Sequence, residues 1–218
     1  PVRQFSGQIS PWQFTGQKLQ TFAAHDDRIT SVRYSPNGQF LASGSWDNTV
    51  KLWTADGKPL KTLTGHTGQV TNVQFSPDGK TIASTSYDTT IKLWNLDGKE
   101  LKTLKGHTST VTSVGFSQDG EKLISASSDG NIKLWDFKRG SVLANLKRNS
   151  STVNSVVFSP DGTIVASANA DQTIVLWNFN LNDVLQRGCQ WLQDYLRNNP
   201  SISPDVHSLC NAVNDPRH

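Results

Sequence analysis

A tryptophan returns every 41 residues along this chain. Trp12, Trp53, Trp94 and Trp135 keep that step, and Trp177 follows after 42. Asp47, Asp88, Asp129 and Asp171 run in phase with them, as do His25, His66 and His107. The extra residue of the last interval falls at Lys138-Arg139-Gly140, where earlier copies have Asp56-Gly57 and Asp97-Gly98. A period of roughly 40–45 residues narrows the fold at once. Each copy has to be a supersecondary unit that buries its apolar face against the next copy.

Inside one period the local signals are those of strands. Val70 to Phe75 alternates apolar and polar residues, as a half-buried strand does. Ser76-Pro77-Asp78-Gly79 is a tight turn, with Pro77 presetting φ and Gly79 tolerating a positive one. Thr81 to Ser84 and Thr90 to Trp94 read as second and third strands, with Tyr87-Asp88 in the loop between them. Asp97-Gly98 then turns the chain into Leu101-Lys102-Thr103-Leu104, a fourth strand. The pattern recurs from Ile29, Val111 and Val153. Short strands at this even spacing predict an all-β fold of four-stranded antiparallel blades.

Gly65-His66, Ser76-Pro77-Asp78-Gly79 and Ile91-Lys92-Leu93-Trp94, with their counterparts, resemble the WD-repeat family over residues 7 to 178. The resemblance implies a β-propeller in which each sequence repeat gives the outer strand of one blade and three inner strands of the next. It also implies a chain that holds partner proteins rather than catalysing a reaction. Residues 1–22 then form a partial blade of third and outer strands, with Leu19 to Phe22 as the outer one and Ser6 where Asp is expected. Residues 23–178 make four repeats, and 179–218 a C-terminal helical tail. In that tail Leu181, Leu185, Cys189, Leu192 and Leu196 fall at helical spacing, with Asn182 a candidate N-cap. Ser203-Pro204-Asp205 opens a second, shorter helix. The tail resembles that of multidomain bacterial WD-repeat proteins, notably cyanobacterial ones, which makes the chain a piece of a longer polypeptide. Cys189 and Cys210 read as two buried thiols of the tail or as a bridge between its helices, and a cytoplasmic setting disfavours the bridge.

Composition limits the setting. The net charge is only +3, with basic and acidic residues interspersed, so nucleic acid is not an expected partner. No apolar run approaches the roughly 20 residues of a membrane span, and no secretory signal opens the chain. The expected location is the cytoplasm.

Each repeat carries His, Ser, Asp and Trp in one order: His25, Ser43, Asp47, Trp53; His66, Ser84, Asp88, Trp94; and His107, Ser125, Asp129, Trp135. A Ser-His-Asp catalytic triad uses the same residue types. Three equivalent copies are not what one active site needs, and the resemblance assigns these groups to a buried hydrogen-bond network ending on the indole N–H. In the fourth copy Asn149 stands for His and Arg148 for Gly, while Ser167, Asp171 and Trp177 remain, which predicts a weaker network. Equivalent histidines around a ring do not converge on one point, as zinc requires. Phosphate loops and Cys-x-x-Cys pairs are missing. The sequence therefore predicts no catalytic residue, no metal and no cofactor.

A partner is expected on the loops. Trp46 and Tyr87 occupy the position just before Asp, where Ser128 and Ala170 follow in the later repeats. Arg28, Gln69, Thr110 and Thr152 precede the inner strands and surround the same face. Large aromatics at such positions suit a protein or peptide ligand. The expected function is a docking or sensor module of a larger regulatory protein. Its rivals are the regulatory propeller of an enzyme whose catalytic domain lies elsewhere, and a propeller that binds a small molecule or sugar. Four repeats are fewer than the roughly seven usual for such propellers, so an open arc with pairing edges is expected. Two copies would then close a ring of about eight blades as a homodimer, or the missing blades belong to the intact protein.

Overall fold

The turn at Ser76 explains how each hairpin starts. The Ser76 hydroxyl donates to Asp78 Oδ1 at 2.5 Å and accepts the Thr81 N–H at 3.0 Å, while the Gly79 N–H donates to the Ser76 carbonyl at 2.9 Å. Gly79 sits at φ 69°, which a residue with a Cβ resists. Ser35, Ser117 and Ser159 make the same knot with Asn37, Asp119 and Asp161. Four such knots space the strands evenly.

The computed structural model describes residues 8–9, 16, 18–147 and 151–179. All regular structure among them is β. The first sheet runs β3 (Ile29–Tyr34), β4 (Phe40–Ser45), β5 (Val50–Thr54) and β6 (Pro59–Leu63), each antiparallel to the next. The second repeats it with β7 (Val70–Phe75), β8 (Thr81–Ser86), β9 (Ile91–Asn95) and β10 (Glu100–Leu104). The third is β11 (Val111–Phe116), β12 (Lys122–Ser127), β13 (Asn131–Asp136) and β14 (Val142–Lys147). The fourth has three strands among the described residues: β15 (Val153–Phe158), β16 (Ile164–Asn169) and β17 (Ile174–Asn178).

Ahead of these, β1 (Gln8–Ile9) pairs with β2 (Phe22–Ala23), Ile9 opposite Phe22. That is the register in which Val50 meets Leu63 in the first sheet. The outer strand is shorter than the Leu19 to Phe22 segment read from the sequence. The Gln20 side chain reaches sideways and donates to the Asp56 carbonyl at 2.7 Å. The tail helices expected over 181–198 and from Ser203, and both cysteines, lie outside the described residues.

Sheets stack in sequence order. The first strands lie side by side, β3 on β7, β7 on β11 and β11 on β15. One face of each sheet meets the opposite face of the next. Ala42, Val50, Leu52 and Leu63 of the first sheet bury Val70, Val73, Ile82 and Trp94 of the second. Ile91, Leu93 and Leu104 do the same for Val111, Val114 and Trp135. Each tryptophan therefore seals its sheet against the one before. Gly44 marks how close this approach is, since a Cβ there would lie 2.6 Å from Val70 Cγ1. Threonines stitch the stack: Thr30 Oγ1 donates to the Val70 carbonyl at 2.7 Å, and Thr112 Oγ1 to that of Val153 at 2.6 Å.

Candidate binding face and the networks beneath it

Beneath the loops at one end of each of the first three sheets lies a relay of four side chains. Trp94 Nε1–H donates to Ser84 Oγ at 2.8 Å. Ser84 Oγ lies 2.8 Å from His66 Nε2, and His66 Nδ1 lies 2.7 Å from Asp88 Oδ2. The indole can only donate and the carboxylate only accept, so the proton order follows: Ser84 O–H donates to Nε2 and Nδ1–H donates to Asp88. The imidazole is neutral in that order. In the first repeat the corresponding distances are 2.9, 2.7 and 2.7 Å through Trp53, Ser43, His25 and Asp47. In the third all three are 2.8 Å, through Trp135, Ser125, His107 and Asp129.

Electrostatics agree with this proton order. Burial holds His25, His66 and His107 below the usual histidine value, against the opposing pull of their aspartates. Burial also pushes the Asp129 carboxyl upward, but N–H donors from Thr108 and Asn131, with His107, hold it down at about 2. Asp47 and Asp88 lie below the carboxylate range as well, where burial is outweighed by donors from Thr49 and Thr90 and by the histidines. Those threonines were not singled out from the sequence. Their spacing two residues after Asp, repeated in Thr173, was the available signal.

The fourth repeat is slacker. Trp177 Nε1 donates to Ser167 Oγ at 3.2 Å, and the Ser167 hydroxyl turns to the Val175 carbonyl at 3.5 Å. Asn149 lies outside the described residues. Asp171 keeps the local bonds from Thr173 and donates its own N–H to Ser151 Oγ at 3.1 Å.

Above the relay the loops are tied in pairs. The Trp46 N–H donates to the Arg28 carbonyl, Tyr87 to Gln69, Ser128 to Thr110 and Ala170 to Thr152, each at 2.9 Å. The structure thus brings the loop residues singled out from the sequence together two by two, one pair per sheet. Their side chains differ. The Arg28 guanidinium stands over the Trp46 ring, 4.9 Å from its centroid, in cation–π contact. Tyr87 projects outward and is 51% exposed. Gln69 and Thr110 are half-buried. Gly68 permits the Tyr87 loop to close, since a Cβ there would lie 2.9 Å from the Asp88 nitrogen. The aromatic character is confined to the first two sheets, and the third and fourth present Ser128 and Ala170.

At the opposite end a hollow of about 440 Å³ lies between the Gln118 and Pro160 turns, floored by Leu134, Phe158 and Phe179. It follows from one departure in the repeat. Gly79 packs on Pro36 and Gly120 on Pro77, but Gln118 replaces that proline and Gly162 faces open space. The nearby carboxylates Asp119 and Asp161 are engaged by their own turns. Among the described residues no cluster of three or more His, Cys, Asp or Glu side chains is placed to hold a metal ion. No helix among them is long and apolar enough to cross a membrane.

Comparison with known proteins agrees with this architecture. The WD domain, G-beta repeat family matches residues 16–54, 57–95, 98–136 and 140–178, each match ending one residue past a repeat tryptophan. The periodic tryptophan protein 2 homolog of Schizosaccharomyces pombe is 44% identical over 50 residues, 22% of this chain and 6% of that protein. Eukaryotic translation initiation factor 3 subunit I of Aspergillus niger is 49% identical over 41 residues, 19% of this chain and 12% of that protein. Guanine nucleotide-binding protein subunit beta-5b of Danio rerio is 38% identical over 45 residues, 20% of this chain and 11% of that protein. The chain spans only a small part of the length of each relative. With four matches that together cover well over half of its residues, the chain belongs to the WD domain, G-beta repeat family.

Proposed function

We propose that the chain is a protein-docking module of a larger regulatory protein, and that it grips a protein or peptide at the loop end around Trp46, Arg28, Tyr87 and Gln69. The observation that carries this reading is Tyr87, a large aromatic 51% exposed on a loop whose base is fixed by the His66–Asp88 relay. A rigid base lowers the ordering cost of contact, and an aromatic or arginine anchor supplies contact area. Trp46 and Arg28 extend the same kind of surface on the neighbouring sheet. Repeats of this family mediate contact between proteins, and two of the relatives are by name subunits of larger factors.

The reading assigns no catalytic role to the chain. In each Ser-His-Asp set the serine oxygen accepts from a tryptophan indole N–H and its hydroxyl donates to a neutral imidazole inside the sheet, so none of these three serines is exposed. Partners are expected to be proteins in the cytoplasm rather than nucleic acid or membrane. A bacterial parent rests on the tail resemblance alone, whereas the matched relatives are fungal and vertebrate.

The double variant Trp46→Ala/Tyr87→Ala tests the proposal. Partner capture should fall roughly tenfold or more, as loss of a hot spot implies. Undiminished capture by a folded double variant would move the site elsewhere.

A further inference from the structure

Lys51, Lys92 and Lys133 hold the same position on the third strand of three successive sheets, but their ammonium groups are treated differently. Lys51 Nζ donates to the Ala24 carbonyl at 2.8 Å. Lys92 Nζ donates to Glu100 Oε2 and to Thr103 Oγ1, both at 2.8 Å. Register explains why Lys133 departs. Val142 stands opposite Trp135 where Glu100 stands opposite Trp94, and Asn145 opposite Lys133 where Thr103 stands opposite Lys92. Lys133 is only 9% exposed, yet its ammonium has no acceptor and no ion pair among the described residues. Its tip still opens to solvent, since the fully enclosed side-chain atoms without a partner among those residues are Ser31 Oγ and Asn169 Oδ1.

The place lies on the seam of the second and third sheets. Lys133 shares a face of β13 with Trp135, which packs on Ile91, Leu93 and Leu104. A Cβ on Gly106 would lie 3.8 Å from Lys133 Cε and 3.2 Å from Trp135 Cη2. The same Cβ on Gly65 would lie 3.1 Å from Glu100 Oε2. A carboxylate beside this glycine is therefore how the second sheet satisfies its lysine. Lys147 stands diagonal to Lys133 on the same face, within reach of a long side chain, and Lys105 precedes Gly106. Both are exposed. Burial is the main force holding His107 low and the Lys133 charge adds to it, whereas at His66 Glu100 opposes Lys92.

We propose that Lys133, flanked by Lys105 and Lys147, binds a glutamate or aspartate side chain from an acidic segment of a protein partner, in the place Glu100 takes against Lys92. A buried charge left unpaired is costly, and a carboxylate that pairs with it recovers part of that cost. The bond is charge-assisted, and the Asn145 amide stands beside it as a second donor. The flanking lysines steer an acidic segment toward the seam. The site uses none of Trp46, Arg28, Tyr87 or Gln69, so it stands or falls apart from the loop-end reading.

The test is binding of a short labelled peptide of alternating Glu and Ala to the full 218-residue chain, read by fluorescence anisotropy. The expected result is saturable binding at a single site. Lys133→Met, which keeps the apolar stem, should weaken it about tenfold or more. Lys80→Gln, exposed on a turn at the other end of its sheet, should weaken it less than about twofold. Val142→Glu rebuilds the pairing of Lys92 with Glu100 and should block the peptide as strongly as Lys133→Met. Its circular dichroism should stay unchanged, since Val142 is exposed, and it carries the test if Lys133→Met fails to fold. No binding to the unaltered chain overturns the proposal. Equal, small losses in all three variants would mean a diffuse charge effect and overturn it as well. Inorganic phosphate that displaces the peptide where acetate at the same concentration does not would make this a phosphate site, against a carboxylate.

Discussion

The second and fourth sheets are built from nearly the same sequence and end in different states. Ile91-Lys92-Leu93-Trp94 and Ile174-Val175-Leu176-Trp177 each form the third strand of a sheet, in the same register with the strand before. In the second sheet Ile91, Leu93 and Trp94 are buried, whereas in the fourth Ile174 and Leu176 face outward. Strand formation is thus a local matter of alternation and turns, while burial is given by the next sheet in the stack. For a repeat protein this means stability resides in interfaces between units as much as in the units.

The largest effect should separate the two isoleucines. Ile91→Ala, at a fully buried site, is expected to cost about 3–4 kcal/mol. Ile174→Ala should stay within about 0.5 kcal/mol in dilute solution. Denaturant unfolding of both variants checks the pair, and equal losses would mean the fourth sheet is covered after all.

Next comes the relay. Asp88→Ala leaves the buried His66 Nδ1–H without its acceptor and should destabilise by about 2–3 kcal/mol. Asp171→Ala removes local bonds at an exposed site and should cost less than about 1 kcal/mol. Thermal unfolding gives the ratio, and it approaches one only if the fourth relay is as tight as the second.

Acid probes the same contrast without substitution. The folded imidazoles titrate below 6.5, so the unfolded chain binds more protons as pH falls through that value, and stability drops. Aspartates held below 3.8 add a further loss in more acid solution. His66→Asn, which gives the second repeat the residue of the fourth, should flatten the first phase of the melting temperature plotted against pH. An unchanged profile would remove the histidines from the account.

The smallest effect lies inside the better-built repeat. Thr89 sits at φ 70°, a costly place for a β-branched residue, where the first repeat has Asn48 at φ 68°. Thr89→Asn should stabilise by about 0.5–1 kcal/mol, read as a rise in melting temperature.

Much of this was legible beforehand. The 41-residue step, the Ser-Pro-Asp-Gly turn and the alternation in Val70 to Phe75 place strands and hairpins, because each is decided within a few residues. Loop positions such as Trp46 and Tyr87 could be singled out by comparing repeats, as could the thinner fourth set of relay residues. The cation–π contact of Arg28 with Trp46, the exposure of Tyr87 and the hollow beside Gln118 could not, since each depends on two loops far apart in sequence.

The sequence by itself determined that every repeat becomes antiparallel strands joined by tight turns, since hydrogen-bond register and turn chemistry are local. Only the tertiary structure decided which copies of the same apolar face are core and which are surface. Burial belongs to a pair of sheets, and Ile174 holds the same strand position and the same apolar alternation with Leu176 as Ile91 holds with Leu93.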